Sequence, residues 1–142
     1  MQITRQADYA VRAVLHLSLQ GQGGHSTTGQ IAAAQQIPVH FLAKIVAQLS
    51  QAGILRTTRG ARGGVALGRP AHDISMLQVV EAIDGPMAVN ECVIHPESCP
   101  QVYSCLVRPS WQEAQSVLVE SLSRTRFDQF SQQPALAVET TA

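Results

Sequence analysis

The stretch "IPVHFLAKIVAQLSQAGILRTTRGARGGVALGRP", residues 37–70, decides the fold. Proline disfavours helix in the residue before it and suits the first turn of a new helix, so Ile37-Pro38 marks a boundary. Beyond it, Phe41, Leu42, Ile45, Val46 and Leu49 recur at helical spacing and form one apolar stripe. His40, Ala43, Lys44, Ala47, Gln48 and Gln51 lie outside that stripe. The spacing predicts a helix over about 39–52, with Gly53 as its stop. The period then changes. "ILRTT" and "VALGR" flank the glycine-rich "RGARGG" (59–64), which reads as a β-hairpin.

Upstream, Thr27 and Gln30 have capping-box spacing and start a short helix that runs to about Gln35. "GQGGHS" (21–26) reads as a flexible loop, and Thr4 caps a helix over about 5–20. The apolar positions of that first helix are read as Ala7, Val11, Val14, Leu15 and Leu19, with His16 packed or half-exposed. Two short helices broken by a turn, then a basic hairpin, describe a winged helix-turn-helix. The second helix would offer Val39, His40, Ala43 and Lys44 to the major groove, with Thr28 at the start of the preceding helix as a further contact. Arg59 and Arg62 near the hairpin tip suit the minor groove, and Gly60, Gly63 and Gly64 suit a tight turn close to phosphates.

Downstream, Ser75 and Gln78 repeat the capping-box spacing before a helix over about 76–84 that stops at Gly85-Pro86. Ser110 with Glu113 is read as opening a long helix over about 111–124, with Trp111, Ala114, Leu118 and Leu122 on one side and Trp111 as a core anchor. Thr125 breaks it and caps a short turn holding Phe127 and Phe130. The fold class is mainly α with a small β-hairpin. A winged helix-turn-helix over 1–72 precedes a loop and long helix over 73–131 and a disordered tail over 132–142.

Composition agrees. In 142 residues, 45% are hydrophobic and only 4% aromatic, so core volume must come from Leu, Ile, Val and Ala. No apolar run reaches the roughly 18 residues of a membrane span, and the N-terminus carries no signal-peptide apolar region. These features predict a soluble, cytoplasmic chain. Net charge is zero, yet residues 1–72 hold seven basic groups against Asp8 alone, while 73–142 hold three against nine acids. That segregation predicts a basic face for a polyanion. The glycines form neither a phosphate-binding G-K-[ST] loop nor a dinucleotide motif, and no nucleophile set or carboxylate pair supports hydrolysis, so the chain is not read as an enzyme.

All three cysteines lie in "ECVIHPESCPQVYSC" (91–105), as C-x6-C-x5-C. These gaps cannot align ligands on one helical face, and Pro96 and Pro100 make the segment mainly loop. Clustered thiols in a reducing compartment point to metal or redox chemistry. Thiolates suit zinc and iron–sulfur clusters, but the close C-x2–4-C pair common in zinc sites is absent. A fourth donor stays open among His95, Asp8 and water or a small thiol. Asp8 in a helix's first turn is also what the helix dipole favours.

The blocks "DYAVRAVLHL" (8–17), 37–70 and "ISMLQVVEAIDG" (74–85), the three cysteines, and Trp111 six residues after the last of them resemble the Rrf2 family of winged-helix transcription regulators over residues 1–130. Within the family the likeness is to the iron–sulfur-binding group of IscR and NsrR. The resemblance implies a homodimer on a near-palindromic DNA operator, acting as a repressor controlled by redox state, nitric oxide or iron, and makes 73–131 the cluster-binding loop and dimerisation helix. It implies an iron–sulfur cluster, 4Fe–4S or 2Fe–2S with the former favoured, on Cys92, Cys99 and Cys105, and Asp8 matches a carboxylate that some NsrR-like members supply from the other subunit. The chain departs from the group in its x6 first gap, in Arg108 where IscR has a histidine ligand, and in Ala43 where IscR-like members carry a glutamate. The alternative reading is a winged-helix regulator with structural zinc or no metal, responding to thiol oxidation or a protein partner.

Overall fold

Three hydroxyl side chains set the frame in the computed structural model, which describes residues 2–132. Thr4 accepts a hydrogen bond from the Ala7 amide and opens α1 (Arg5–Ser18). Thr27 and Gln30 form a reciprocal capping box at the start of α2 (Thr28–Gln35). Ser75 and Gln78 do the same for α4 (Met76–Asp84). Between them, α3 (Val39–Gln51) begins after Pro38 and ends in a Schellman motif. There Gly53, at φ +74°, donates to the Ser50 carbonyl while Ile54 donates to Leu49. These elements match the sequence-based expectation to within two residues.

The hairpin is β2 (Leu55–Thr58) against β3 (Gly64–Leu67). It is one part of a three-stranded antiparallel sheet of order β1-β3-β2. The extra strand, β1 (His25–Ser26), lies in the segment read as a flexible loop and pairs His25 with Ala66 and Ser26 with Val65. Two residues carry no strand period of their own, so only the long-range pairing makes them a strand.

The main core joins Ala10, Ala13, Val14 and Leu17 of α1 to Leu42, Ile45 and Leu49 of α3, and to Ile54, Val65, Ile74, Val79 and Phe127. Residues from both sides of position 72 therefore share one cluster. The stripe expected on α1 is corrected at its end. Leu19 is 53% exposed, while Ala10, Ala13 and Leu17 are buried instead. Helix α1 is enclosed by α2, α3, α4 and the sheet, so small residues are used where neighbouring backbones approach closely.

The remainder wraps this unit. A short helix, α5 (Glu91–Ile94), and a 3-10 turn at Pro96–Ser98 interrupt the cysteine loop. Helix α6 runs from Arg108 to Arg124 and meets α4 through Leu118 and Leu122 in a second cluster with Ala7, Val80 and Met87. It starts three residues before the expected position, because Pro109 sits comfortably in a first turn that needs no donor there. Ser110 is therefore inside the helix and caps nothing. Trp111 is 41% exposed and is not the core anchor expected of it. After Thr125 the chain returns to the start of α4. The Met76 amide donates to Thr125, the Phe127 amide donates to Ile74, and Phe127 is buried against Phe130. The tail expected to be disordered lies, from residue 133, outside the described residues.

The two Ser-x-x-Gln/Glu sequences thus differ in role, which denaturant unfolding can check. Ser75→Ala should cost about 1 kcal/mol, the value of a lost N-cap. Ser110→Ala should stay within about 0.5 kcal/mol of the parent, as an exposed helix position does.

Candidate nucleic-acid interface and cysteine loop

The first turns of α3 leave Val39, His40, Ala43 and Lys44 exposed on one side, opposite buried Leu42, Ile45 and Val46. Thr28 is half-buried at the start of α2. Phe41, expected wholly in the apolar stripe, is 38% exposed at its edge. It carries His40 stacked on it at 4.3 Å between ring centroids and stands 6.3 Å from Tyr9 of α1. The exposed His40 ring is thereby braced by an aromatic pair.

The hairpin tip is built by two glycines with different jobs. Gly60 adopts φ +107°, which L side chains rarely take, and its carbonyl accepts from the Gly63 amide at 2.9 Å. A Cβ on Gly63 would stand 2.1 Å from the Thr58 carbonyl oxygen, so that position admits no side chain. Arg59 and Arg62 are exposed on this tight loop, and neither has a carboxylate partner among the described residues.

One residue that the sequence reading did not single out ties the reader to α1. Arg12 pairs with Asp8 at 3.1 Å, lies 4.8 Å over the Tyr9 ring, and donates to the Gln35 carbonyl at 2.9 Å. Gln35 ends α2, and Gln36 follows in a left-handed conformation at φ +53°. The guanidinium therefore sits at the negative end of α2 and at the turn that aims α3. Its i,i+4 spacing from Asp8 is visible in the sequence, but no local signal shows that it reaches residue 35.

The segment that leads into the cysteine loop is anchored on two helices, and one further bond reaches the loop itself. Gln115 of α6 accepts from the Val89 amide and donates to the Met87 carbonyl, and Glu81 of α4 accepts from the Met87 amide. Arg108 Nη2 donates to the Cys92 carbonyl at 3.4 Å. Its Nε is buried with no hydrogen-bond partner among the described residues. The second half is looser in its contacts: Val102 is buried, but Tyr103 and Leu106 are 94% and 95% exposed. Cys92 on α5, Cys99 after the 3-10 turn and Cys105 before α6 are all half-buried free thiols.

Asp8 faces Arg12 of its own chain, and His95 Nδ1 pairs with Glu97 at 3.2 Å. Among the described residues, no three His, Cys, Asp or Glu side chains are gathered where they could share a metal ion. The three thiols thus share a loop without converging on one point. Maleimide labelling of the native, metal-free chain should modify all three cysteines. A chain in which only one reacts would contradict free thiols at these positions.

The Rrf2 family, described as iron-dependent transcriptional regulators, matches residues 3–133. The chain is 35% identical to Protein aau3 of Rhizobium meliloti over 129 residues, covering 90% of this chain and 83% of that protein. It is 28% identical to the HTH-type transcriptional regulator IscR of Pectobacterium atrosepticum, over 91% of this chain and 78% of that one. Among solved structures, the global cysteine regulator CymR of B. subtilis superimposes with a TM-score of 0.80 at 21% identity, covering 92% and 96% of the two chains. That likeness bears on the fold, and it is the winged-helix architecture described above. No helix among the described residues is long and apolar enough to cross a membrane. The chain belongs to the Rrf2 family: it is a winged-helix transcriptional regulator, not an enzyme.

Proposed function

We propose that the chain acts as a homodimeric repressor whose grip on a DNA operator is set by an iron–sulfur cluster held by Cys92, Cys99 and Cys105. The observation that carries this reading is the cysteine loop itself. Three free, half-buried thiols stand on one segment tied to both α4 and α6, next to a guanidinium whose buried Nε lacks a partner. The donor types fit a thiolate-bound, anionic group. The sulfurs are not gathered in advance, so taking up such a group requires residues 92–105 to close around it. When bound, the cluster supplies chemistry sensitive to oxidation, nitric oxide and iron supply, and IscR among the relatives favours it over zinc.

The DNA side of the reading rests on the exposed face of α3, with Val39, His40, Ala43 and Lys44, and on the Arg59–Gly60–Arg62–Gly63 tip, with Thr28 at the flank. Lys44 would meet a phosphate or guanine, Val39 and Ala43 a thymine methyl, and the wing arginines the minor groove. Pairing of two copies is supported by α6. Val107, Trp111, Ala114 and Leu118 fall at alternating spacings of four and three, and the first three are exposed. Two such helices in contact would place two readers on one duplex.

Coupling would run through Asp8. In the metal-free chain this carboxylate neutralises Arg12, which holds the end of α2. Recruitment of Asp8 as fourth ligand by the loop of a second copy would leave Arg12 without its carboxylate and change the hold on the α2–α3 turn. A coupling of about 1–3 kcal/mol gives a 5–150-fold change in operator affinity.

The test is fluorescence anisotropy on a duplex selected from a randomised pool, with anaerobically cluster-loaded and metal-free protein. We expect affinities differing by about 5–150-fold. Equal affinities would overturn cluster control, and protein that stays colourless when given iron and sulfide without oxygen would overturn the cluster. Asp8→Ala should shorten cluster lifetime. Lys44→Ala should weaken binding, alike for all sequences with the salt slope reduced by about one where Lys44 meets a phosphate, and with specificity relaxed at one position where it meets guanine.

A further inference from the structure

We propose that the cleft at the base of the wing binds a small anion carrying a phosphate or carboxylate group. The cleft encloses about 400 Å³ between the α1–β1 loop, the outer face of the sheet and the segment after β3. Arg56 of β2 and Arg69 line it, with Gly21 and Gly23 on one wall and His72 and Asp128 on the other. In the sheet register Arg56 stands opposite Ala66, a small residue that leaves room on that face.

The lining of this cleft is net positive. Neither Arg56 nor Arg69 has a carboxylate partner among the described residues, and the two line the same cleft. Arg69 is half-buried, and its Nε is shut off from solvent with no hydrogen-bond acceptor among the described residues. An anionic oxygen entering the cleft would meet the charge of both arginines and their accessible N–H donors together. His72 is already engaged with Asp73 at 3.5 Å, which leaves Asp128 as the single lining acid against two guanidinium groups. Two of the lining glycines are set by backbone conformation: Gly21 and Gly23 take φ of +79° and +77°, which L side chains rarely adopt.

Arg56 lies three residues before Arg59, so the cleft is about 10 Å down the strand from the DNA-facing tip. Its walls include the same two strands that carry the tip. An anion bridging Arg56 and Arg69 would brace those strands against the loop that follows α1. This inference goes beyond cluster control and is tested on metal-free protein, so the two can fail separately.

The experiment is an amide NMR titration of the full chain with inorganic phosphate and, separately, with succinate, at ionic strength held constant with sodium chloride. We expect saturable shifts at residues 21–24 and 68–72 with either probe or both, the stronger one identifying phosphate or carboxylate as the natural group. Amides at 59–63 should stay in place. Arg69→Gln should weaken binding by about tenfold or more, and Arg56→Gln carries the same test should the first variant fail to fold. No saturable shift with either probe, shifts centred on 59–63, or unchanged binding in both variants would overturn the proposal.

Discussion

The close packing of α1 is the constraint on which the remaining structure depends. Ala7, Ala10 and Ala13 are completely buried, and together with Val14 and Leu17 they bring α2, α3, α4 and the sheet against one helix. An alanine at these positions fills no more space than the neighbouring backbones leave, so a larger side chain would have to push one of them away. The same helix carries Asp8 and Arg12 on its outer side and is clamped at its start, where Thr4 gives two hydrogen bonds to Asp84 at the end of α4. Helices α2, α3 and α4 and strand β3 therefore all lean on α1.

That arrangement offers the proposed regulatory coupling a path of four links. Met87 and Val89, which lead into the cysteine loop, are fastened to α4 by Glu81 and to α6 by Gln115, and Arg108 of α6 holds the Cys92 carbonyl. Helix α4 is fastened to α1 through Asp84 and Thr4. Helix α1 is fastened to the turn of the reader through Arg12 and Gln35. Each link is a side-chain hydrogen bond, whereas the segment around residues 99–106 has no side-chain hydrogen bond or ion pair to another element among the described residues. Under the proposed function, a rearrangement in that segment would reach the reader through this path or through Asp8 and a second copy, and both paths would end on Arg12 or its helix.

How much of this was legible in the sequence follows from how local each cause is. Caps are local, so Thr4, Thr27 and Ser75 mark three helix starts correctly, and Gly53 and Gly85 mark two ends. The wing is legible for the same reason, because its glycines answer a local turn requirement. Strand β1 is not, since two residues become a strand only by meeting Ala66 and Val65. The start of α6 was misplaced because Ser110-x-x-Glu113 imitates a cap, while Arg108-Pro109 opens the helix without one. Trp111 differs from its expected role because a half-exposed aromatic on a helix has the same sequence pattern as a buried one. In the candidate site, the residue types were legible as chemistry: thiols in a loop, arginines on a wing. The Arg12–Gln35 bond was not, because a backbone carbonyl has no signature in sequence.

The central claim is that the cysteine loop and the DNA reader are mechanically joined through α1. Hydrogen–deuterium exchange of the full chain, with and without an anaerobically assembled cluster, addresses this most directly. The account predicts that protection changes together in three places: the loop over 90–108, the first turn of α1 around Asp8, and the α2–α3 turn around residues 35–39. Changes confined to 90–108, with α1 and the turn exchanging identically in both states, would contradict it.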